Sequence, residues 1–250
     1  MSRKIGIIGG LGWPATIAYY EAICRAAATA GGIGTPEMTI ESLDMSKTLA
    51  ARGTLGNAQS WAAFDSFFTD ALARLDAASC DFAAIASVTP HTRLATISKA
   101  SPLPIVSIVD AVIANLGAST KTKAAILGTS VTMKGSLFDQ GLKDLGIEVL
   151  RPEQADITAF TDLLNTYFYS GQAEEGLAEL VVYVRSVFGA SEDLLCILAC
   201  TDLAPAFPDK IGQITFDAEG LTFFDATTAH IDAILTAASS APDEARVGGG

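Results

Sequence analysis

One cysteine stands at the end of a long apolar stretch, in a position where a thiol can do chemistry. Residues 194–203 begin with an unbroken apolar run that delivers Cys200 to the polar pair Thr201 and Asp202. A run of this length, bounded by capping residues, predicts a buried strand of a parallel sheet. We expect Thr201 or Asp202 to cap a following helix that holds Pro205 in its first turn. Cys200 would then lie at a strand's carboxyl end, where α/β folds bind ligands, with its thiol pKa lowered by the helix dipole.

The cysteines also have a purely structural interpretation, because free cysteine is among the most buried residue types. Cys196 lies on the same strand face as Cys200 but deeper, so we expect it to pack in the core. Cys24 and Cys80 are interpreted as packing residues. The four cysteines form no CxxC pair and no cluster with histidine, so the sequence predicts neither a zinc site nor a disulfide framework. This cysteine usage fits a reducing, cytoplasmic location.

An earlier stretch of the chain repeats the design of the Cys200 stretch. Residues 81–91 are again apolar and end in polar and turn residues, and Ser87 falls opposite Cys200, 113 residues before it. Two further pairs of segments repeat at similar intervals: 4–10 resembles 123–129, and 105–110 resembles 220–225. A long internal repeat indicates a duplicated architecture. We therefore predict two similar α/β halves that aim Ser87 and Cys200 at one ligand from opposite sides.

Composition limits the classes of function. The chain has 250 residues, of which 50% are hydrophobic and 18% charged, and these values are typical of a compact globular protein. The net charge of −12 argues against a nucleic-acid partner, which would require a basic face. It does not exclude an anionic substrate, because a cleft can be locally positive. No segment has the length and freedom from charge that a membrane span needs, so we expect no membrane association.

A glycine-rich turn follows the first predicted strand. The run from Gly10 to Ala15 fits the pattern G-x-G-x-x-A, which is found in dinucleotide-binding folds. Trp13 and Pro14 argue against that interpretation, because they add bulk and remove an N–H where a pyrophosphate needs the backbone. A helix amino terminus at this turn would still bind a carboxylate well.

The remaining pattern predicts alternating strands and helices with mainly parallel sheets. Strands are expected at 4–10, 38–43, 102–110, 123–127 and 147–150, besides those ending near Ser87, Cys200 and Asp225. Helices are expected at 14–30, 60–78, 172–187 and 227–238, with Ile17, Tyr20 and Ile23 in the core, and 44–59 is a polar loop. We assign 1–112 plus 215–238 to a first subdomain and 113–214 to a second, with the active site between them. We expect residues 239–250 to form a mobile tail.

Several segments resemble the cofactor-independent aspartate/glutamate racemases. The opening, residues 5–16, is similar to theirs, and residues 199–202 resemble their second catalytic motif, Gly-Cys-Thr-Glu. Residues 224–230 resemble their carboxyl-terminal Asp-Thr-x-x-x-His segment, and 127–133 match a mid-chain signature. The resemblance implies two α/β halves, an active site between them, no pyridoxal phosphate or metal, and a homodimer.

The resemblance also implies the chemistry. In the family, two cysteines flank the Cα of a bound amino acid; one removes its proton as a thiolate and the other returns a proton to the opposite face. Cys200 would be one of these groups, serving the L enantiomer, and Ser87 would occupy the place of the other. Residues at family positions would bind the substrate; they are Gly10, Thr16, Arg52, Val88, Thr89, Thr129, Thr201 and Asp202.

This chain departs from the family pattern at two places. The first motif is typically Cys-Asn-Thr-x-His, and here Ser87 and Val88 replace the cysteine and the asparagine. A serine without an adjacent base is a poor proton abstractor, and His91 is the one residue of the motif that could activate it. A substrate-binding lysine that many relatives carry before a glycine, near the middle of the second half, is also absent, and residues 169–171, Tyr-Ser-Gly, stand in its place.

Three functions remain open at this stage. The first is an isomerase, a racemase acting on aspartate, glutamate or a close relative. The second is a single-cysteine carbanion enzyme on the same scaffold, such as a decarboxylase or a cis–trans isomerase. The third is a catalytically silent protein that binds a carboxylate. Arg52 could equally be a solvated loop charge, Ser87 a small residue at a strand end, and His91 and His230 structural histidines.

Overall fold

The computed structural model describes residues 3–29 and 35–240. Its first half contains the elements β1 (Ile5–Gly9), α1 (Trp13–Thr29), β2 (Met38–Ser42), α2 (Met45–Ala50), α3 (Ala62–Ala77), β3 (Phe82–Ile85), α4 (Leu94–Ala100), β4 (Ile105–Val106) and α5 (Ile108–Leu116). The second half contains β5 (Lys123–Gly128), α6 (Ser130–Lys134), α7 (Asp139–Asp144), β6 (Glu148–Leu150), α8 (Gln154–Leu163), α9 (Leu177–Phe188), β7 (Leu194–Ala199), β8 (Thr215–Ala218), β9 (Leu221–Asp225) and α10 (Ala226–Ser239).

The two halves build sheets with the same strand order. The first sheet is β2-β1-β3-β4, and the second is β6-β5-β7-β9-β8. All neighbouring strands are parallel except β8, which runs antiparallel to β9. Strands β1, β2, β3 and β4 therefore correspond in position to β5, β6, β7 and β9. This correspondence confirms the predicted α/β class with two mainly parallel, similarly built halves.

The central strands are buried on both faces, as their sequences require. Every residue of β1, β3 and β7 is buried, and so are five of the six residues of β5. Helices cover both faces of each sheet, which is why these strands consist of apolar runs and not of alternating polar and apolar residues. Truncating one of their larger side chains to alanine is expected to cost about 2–5 kcal/mol.

The sheet pairing differs from the predicted subdomain boundary at 215–225. Strand β9 pairs with β7, with Leu195 opposite Thr222, and β8 extends the same sheet through a tight turn in which Glu219 and Gly220 have positive φ. These two strands therefore belong to the second sheet. Only α10 returns to the first half, where Ile231 and Ile234 join a core cluster with β1 and α1. Of the predicted tail, residues 241–250 lie outside the described part of the chain.

Helix α1 presents a different face to the core than predicted. Ile23 is buried as expected, but Ile17 and Tyr20 are 55% and 45% exposed, and Tyr19 is buried instead. Tyr19 lies four residues before Ile23, so these two side chains share the face toward the sheet, whereas Ile17 and Tyr20 lie on the outer face.

Three predicted boundaries also differ from the structure. The loop 44–59 contains α2, which begins where the Asp44 side chain accepts hydrogen bonds from the Ser46 and Lys47 N–H groups. The predicted strand 102–110 ends at Val106, because Ser107 caps α5 through the Asp110 N–H at 3.2 Å. The predicted helix 172–187 begins only at Leu177, and α8 precedes it through one turn of π-helix, Leu164–Phe168.

Candidate active site

The carboxyl ends of β3 and β7 meet across the boundary between the halves. The Thr201 hydroxyl donates a hydrogen bond of 3.2 Å to the carbonyl oxygen of Ala86. The hydroxyls of Thr89 and Thr129 are hydrogen-bonded at 2.8 Å, which links the end of β3 to the end of β5. Because Ala86 precedes Ser87 and Thr201 follows Cys200, these contacts bring the two predicted acid–base segments to one place.

Cys200 and Asp202 form a buried pair at the end of β7. The Cys200 thiol faces the Asp202 Oδ2 at 3.9 Å, and the residues are only 5% and 2% exposed. Burial raises the pKa of Asp202 to about 7, against hydrogen bonds from Ala15 and Cys200 that lower it. Burial and then the Asp202 charge raise the pKa of the Cys200 thiol far above its usual range. Cys200 and Asp202 are therefore a coupled pair of weakened acids, and perturbed pKa values of this kind are frequent at functional sites.

The predicted helix after Cys200 is wrong, and so is its predicted effect on the thiol. Only a short 3-10 turn, Ala204–Ala206, follows, and neither Thr201 nor Asp202 caps it. Asp202 instead accepts a hydrogen bond of 3.3 Å from the N–H of Ala15, in the first turn of α1. The thiol is enclosed, and burial outweighs any dipole, so its pKa is raised and not lowered.

The glycine-rich turn before α1 is shaped to receive the Asp202 carboxylate. A Cβ on Gly12 would collide with that carboxylate. Gly10 has a φ of +77°, and its N–H donates to the Thr16 hydroxyl at 2.9 Å, which in turn donates to the Gly12 carbonyl. The carboxylate expected at this helix terminus is thus one of the chain's own, and it occupies the place that a dinucleotide pyrophosphate would need.

Arg52 carries an unpaired positive charge into this site. No carboxylate of the described residues lies within ion-pair distance of it, and its Nε is buried without a hydrogen-bond partner. Burial lowers the pKa of the guanidinium, while Tyr169 and Cys200 raise it, so both of these groups lie within electrostatic reach. A half-buried guanidinium whose Nε–H has no partner fits a carboxylate ligand well.

Tyr169 is a site residue that the sequence pattern did not single out as functional. It packs against the core cluster that contains Cys200, and its hydroxyl lowers the pKa of the Cys200 thiol. Burial, Cys200 and Asp202 together raise the pKa of the Tyr169 phenol, which is therefore neutral. The only sequence signal is positional, because Tyr169 belongs to the segment 169–171 that stands where many relatives carry a lysine before a glycine.

The one base in the Ser87 motif is not available to activate the serine. His91, the candidate, uses both ring nitrogens on the backbone: Nδ1–H donates to the Ser87 carbonyl at 2.9 Å, and Nε2 accepts from the Ile108 N–H at 3.2 Å. Burial lowers the pKa of His91 to about 4. The Val88 side chain is buried in a core cluster with Ile108, so only its backbone can face a ligand.

The residues of the carboxyl-terminal motif are structural. The Nε2–H of His230 donates to the Val106 carbonyl at 3.0 Å, and its Nδ1 accepts from the Tyr19 hydroxyl at 2.8 Å. Asp225 caps α10 by accepting from the Thr227 N–H at 2.8 Å. Cys196 packs in the second-half core, and burial raises its thiol pKa to about 12.

Two negative findings concern the described residues, 3–29 and 35–240. Within them, no three histidine, cysteine or acidic side chains come close enough together to hold a metal ion. None of their helices combines the length and apolar character needed to cross a bilayer.

Comparison with known proteins identifies the relatives of this arrangement. An aspartate racemase homologue from Pyrococcus horikoshii OT3 is 24% identical and has a TM-score of 0.70, covering 95% of this chain and 100% of that one. The aspartate racemase of Picrophilus torridus is 16% identical with a TM-score of 0.70, over 98% and 97% of the two chains. A glutamate racemase from Francisella tularensis, solved with D-glutamate, is 14% identical with a TM-score of 0.60, over 94% and 80%. These likenesses establish the shared fold.

The family itself is shown by the sequence. The family model described as Asp/Glu/Hydantoin racemase matches residues 8–234, which include both strand ends, Arg52 and Tyr169. This match confirms the resemblance found in the motifs: the chain belongs to the Asp/Glu/Hydantoin racemase family, a family of isomerases.

Proposed function

We propose that the protein is a cofactor-independent amino-acid racemase that acts on aspartate, glutamate or a close relative, with Cys200 as its main base. The observation that carries the proposal is the buried Cys200–Asp202 pair, 3.9 Å apart, beside an unpaired Arg52 and facing the Ser87 strand end. Such a site combines a proton acceptor, a carboxylate anchor and exclusion of water.

In the proposed reaction, Asp202 takes the thiol proton and Cys200 becomes a thiolate that Tyr169 stabilises by hydrogen bonding. The thiolate removes the Cα proton, so that the Cα–H bond breaks, an S–H bond forms and the electron pair stays on the substrate. The Ser87 hydroxyl gives its proton to the opposite face of Cα and is reprotonated from bulk solvent. The Cys200–Asp202 pair, which then holds two protons, releases one to solvent and returns to its starting state. Arg52 holds the α-carboxylate, with two favourable N–H···O bonds available from its planar guanidinium.

Backbone and hydroxyl groups at the strand ends complete the proposed site. Their oriented N–H and O–H groups are suited to stabilise negative charge that develops on the substrate. We assign this role to the backbone N–H groups of Val88, Thr89, Thr129 and Thr201. Gly10 and Thr16, whose N–H and hydroxyl are bonded within the turn before α1, are proposed to form the wall of the site against which the substrate lies. Thr89, Thr129 and Thr201 already join the two halves, so they also fix the width of the cleft.

One observation favours a second candidate, a single-cysteine carbanion enzyme such as a decarboxylase or a cis–trans isomerase. His91 is fully engaged by the backbone and has a pKa of about 4, so Ser87 lacks the base that a symmetrical racemase needs. The third candidate, a silent carboxylate-binding protein, is consistent with Arg52 alone.

Proton NMR in D2O separates these candidates. The protein is incubated with L- and D-aspartate, L- and D-glutamate and their amides, and loss of the Cα–H signal is followed together with chiral chromatography. Exchange with appearance of the other enantiomer supports the racemase. Consumption of a compound with a new product and no racemisation supports the second candidate, and binding without exchange supports the third.

We propose further that the protein acts as a homodimer. A groove of about 550 Å³ lies between α1, α10 and residues 204–212, apart from the catalytic pair. Ile17 and Ile211, which line it, are 55% and 69% exposed, and Lys210 and Asp232 give it both charges. In a two-fold symmetric dimer, a positive group of one copy can lie against a negative group of the other. A second copy of this chain is therefore a suitable partner for the groove. Sedimentation should give twice 25.9 kDa, and Ile17→Glu should shift the protein toward monomer; a wild type at 25.9 kDa at all concentrations contradicts the proposal.

We propose a cytoplasmic location. The four cysteines are all free, which is usual in a reducing compartment.

A further inference from the structure

We infer that the site selects an amino acid with one carboxylate and an uncharged side chain, such as asparagine or glutamine, over the corresponding dicarboxylic acid. The inference rests on the proposed racemase function and narrows its substrate class. It follows from the charges that the described residues place around Cys200.

The site offers one cation. Arg52 is the only positive group among the described residues whose charge acts on Cys200 and on Tyr169. It has no ion-pair partner, so it is free to bind one carboxylate. A bidentate contact with a carboxylate uses most of the fork of a guanidinium, and nothing cationic is left for a second carboxylate.

The site also carries one negative charge. Cys200 and Asp202 lie 3.9 Å apart and share one proton between them whenever the substrate is to be deprotonated. Whether that proton lies on sulfur or on oxygen, the pair has a single negative charge. Arg52 and this pair together therefore match the carboxylate and the ammonium group of an amino-acid zwitterion. A second carboxylate would meet an unbalanced negative charge in a buried setting.

Tyr169 is a neutral residue at a position where a cation would change the net charge of the site. It packs against the core cluster that contains Cys200, and its hydroxyl is neutral. Tyr169 and Arg52 act on each other electrostatically, so a cation at this position would serve a second carboxylate. A phenol hydroxyl donates and accepts hydrogen bonds, so it suits a side-chain amide, which does both. We assign Tyr169 as a specificity-determining residue.

The test compares isosteric pairs at pH 8: L-asparagine with L-aspartate, and L-glutamine with L-glutamate. Cα deuterium exchange is measured as kcat/KM for each. We expect the amide to exceed the acid at least tenfold in one pair or both. Because Tyr169 contacts Cys200, its variants are expected to lose overall rate, so the readout is the ratio of acid to amide.

Tyr169→Lys should raise the acid-to-amide ratio at least tenfold, since it adds a second cation. Tyr169→Phe removes the hydroxyl without adding charge and should not raise the ratio. Ser170→Lys places the same charge on the adjacent, exposed residue and should also leave the ratio unchanged. A wild type that exchanges the acids as fast as the amides overturns the inference, and so does an equal effect of Ser170→Lys.

A separate binding measurement distinguishes this inference from the proposed function. Isothermal titration calorimetry at pH 8 uses the same four amino acids. If no amino acid undergoes exchange, the racemase proposal fails, and tighter binding of the amides still supports the charge argument. Equal or tighter binding of the acids, or no binding by any of the four, overturns it.

Discussion

Replacing Asp202 with asparagine should make the protein more stable and less active at the same time. The pKa of this carboxyl is about 7 in the folded protein against an ordinary 3.8, because burial penalises its charged form. Below pH 3.8 both folded and unfolded chains hold the proton, and the charge has no cost. As the pH rises from 3.8 to 7, the unfolded chain releases the proton first, so stability is lost, and above pH 7 the loss amounts to roughly 4 kcal/mol.

Asparagine keeps an oxygen for the Ala15 N–H and cannot ionise. We therefore expect Asp202→Asn to raise the free energy of unfolding at pH 8 by about 2–4 kcal/mol and to flatten its decline between pH 4 and 7. Cα exchange should fall at least about 10²-fold, because Cys200 loses its proton acceptor. Urea unfolding at pH 4.5, 6, 7 and 8 measures the first effect and NMR the second. The exposed Asp209→Asn is the control and should change neither. Two results would contradict this reasoning. One is a lower free energy of unfolding for Asp202→Asn than for the wild type at pH 8, and the other is a free energy of unfolding that declines with pH as steeply as in the wild type.

Three further variants test the roles of the site residues. Cys200→Ala should abolish Cα exchange while the circular dichroism spectrum stays unchanged, because it removes the base and only one sulfur atom; exchange at the wild-type rate would eliminate the racemase mechanism. Arg52→Ala should raise KM by roughly 10–100-fold and lower kcat less, since a charged hydrogen bond to a ground-state carboxylate contributes about 1.5–3 kcal/mol; an unaltered KM would place Arg52 outside the site. In the wild type, exchange should be much faster on the L than on the D enantiomer, and Ser87→Cys should raise D-side exchange by about 10²–10⁴. Equal rates on both enantiomers, or no gain in Ser87→Cys, would contradict that asymmetry.

Local patterns were sufficient to predict the scaffold and the position of Cys200. A six-residue apolar run such as β7, bounded by polar residues, has few alternatives to a buried strand. The repeat between the β3 and β7 stretches is visible in the sequence because both strands must be buried on both faces. The apolar pattern did not predict the buried face of α1 correctly. This helix contacts both the sheet and α10, and Ile17 lies on its exposed side. Short helices such as α2 lack the length from which periodicity is recognised.

The chemistry of the site could not be predicted from local patterns, because it depends on contacts between distant residues. Asp202 was expected to cap the helix after it, yet its partner is the N–H of Ala15, 187 positions earlier. The capping preference of aspartate predicts that its carboxylate accepts hydrogen bonds from free N–H groups at a helix start. It does not predict which helix provides those N–H groups. The thiol pKa was predicted with the wrong sign for the same reason, since burial is a property of the assembled halves.

The two halves share a strand order but not their acid–base equipment. At the end of β7, Cys200 has Asp202 and Tyr169 beside it. At the end of β3, the histidine of the Ser87 motif has both ring nitrogens bound to the backbone. In the proposed racemase, a proton is therefore expected to be removed faster from the face of Cα next to Cys200 than from the face next to Ser87. The two enantiomers have equal free energies in solution, so this asymmetry cannot change the final mixture. The asymmetry determines only the rates. Because the two enantiomers have equal free energies, a slow step at Ser87 that limits the reaction lowers the rates of racemisation in both directions by the same factor. In this proposal, the duplicated scaffold places an acid–base group on each side of the substrate. The side chains around each strand end then determine the rate of proton transfer on that side.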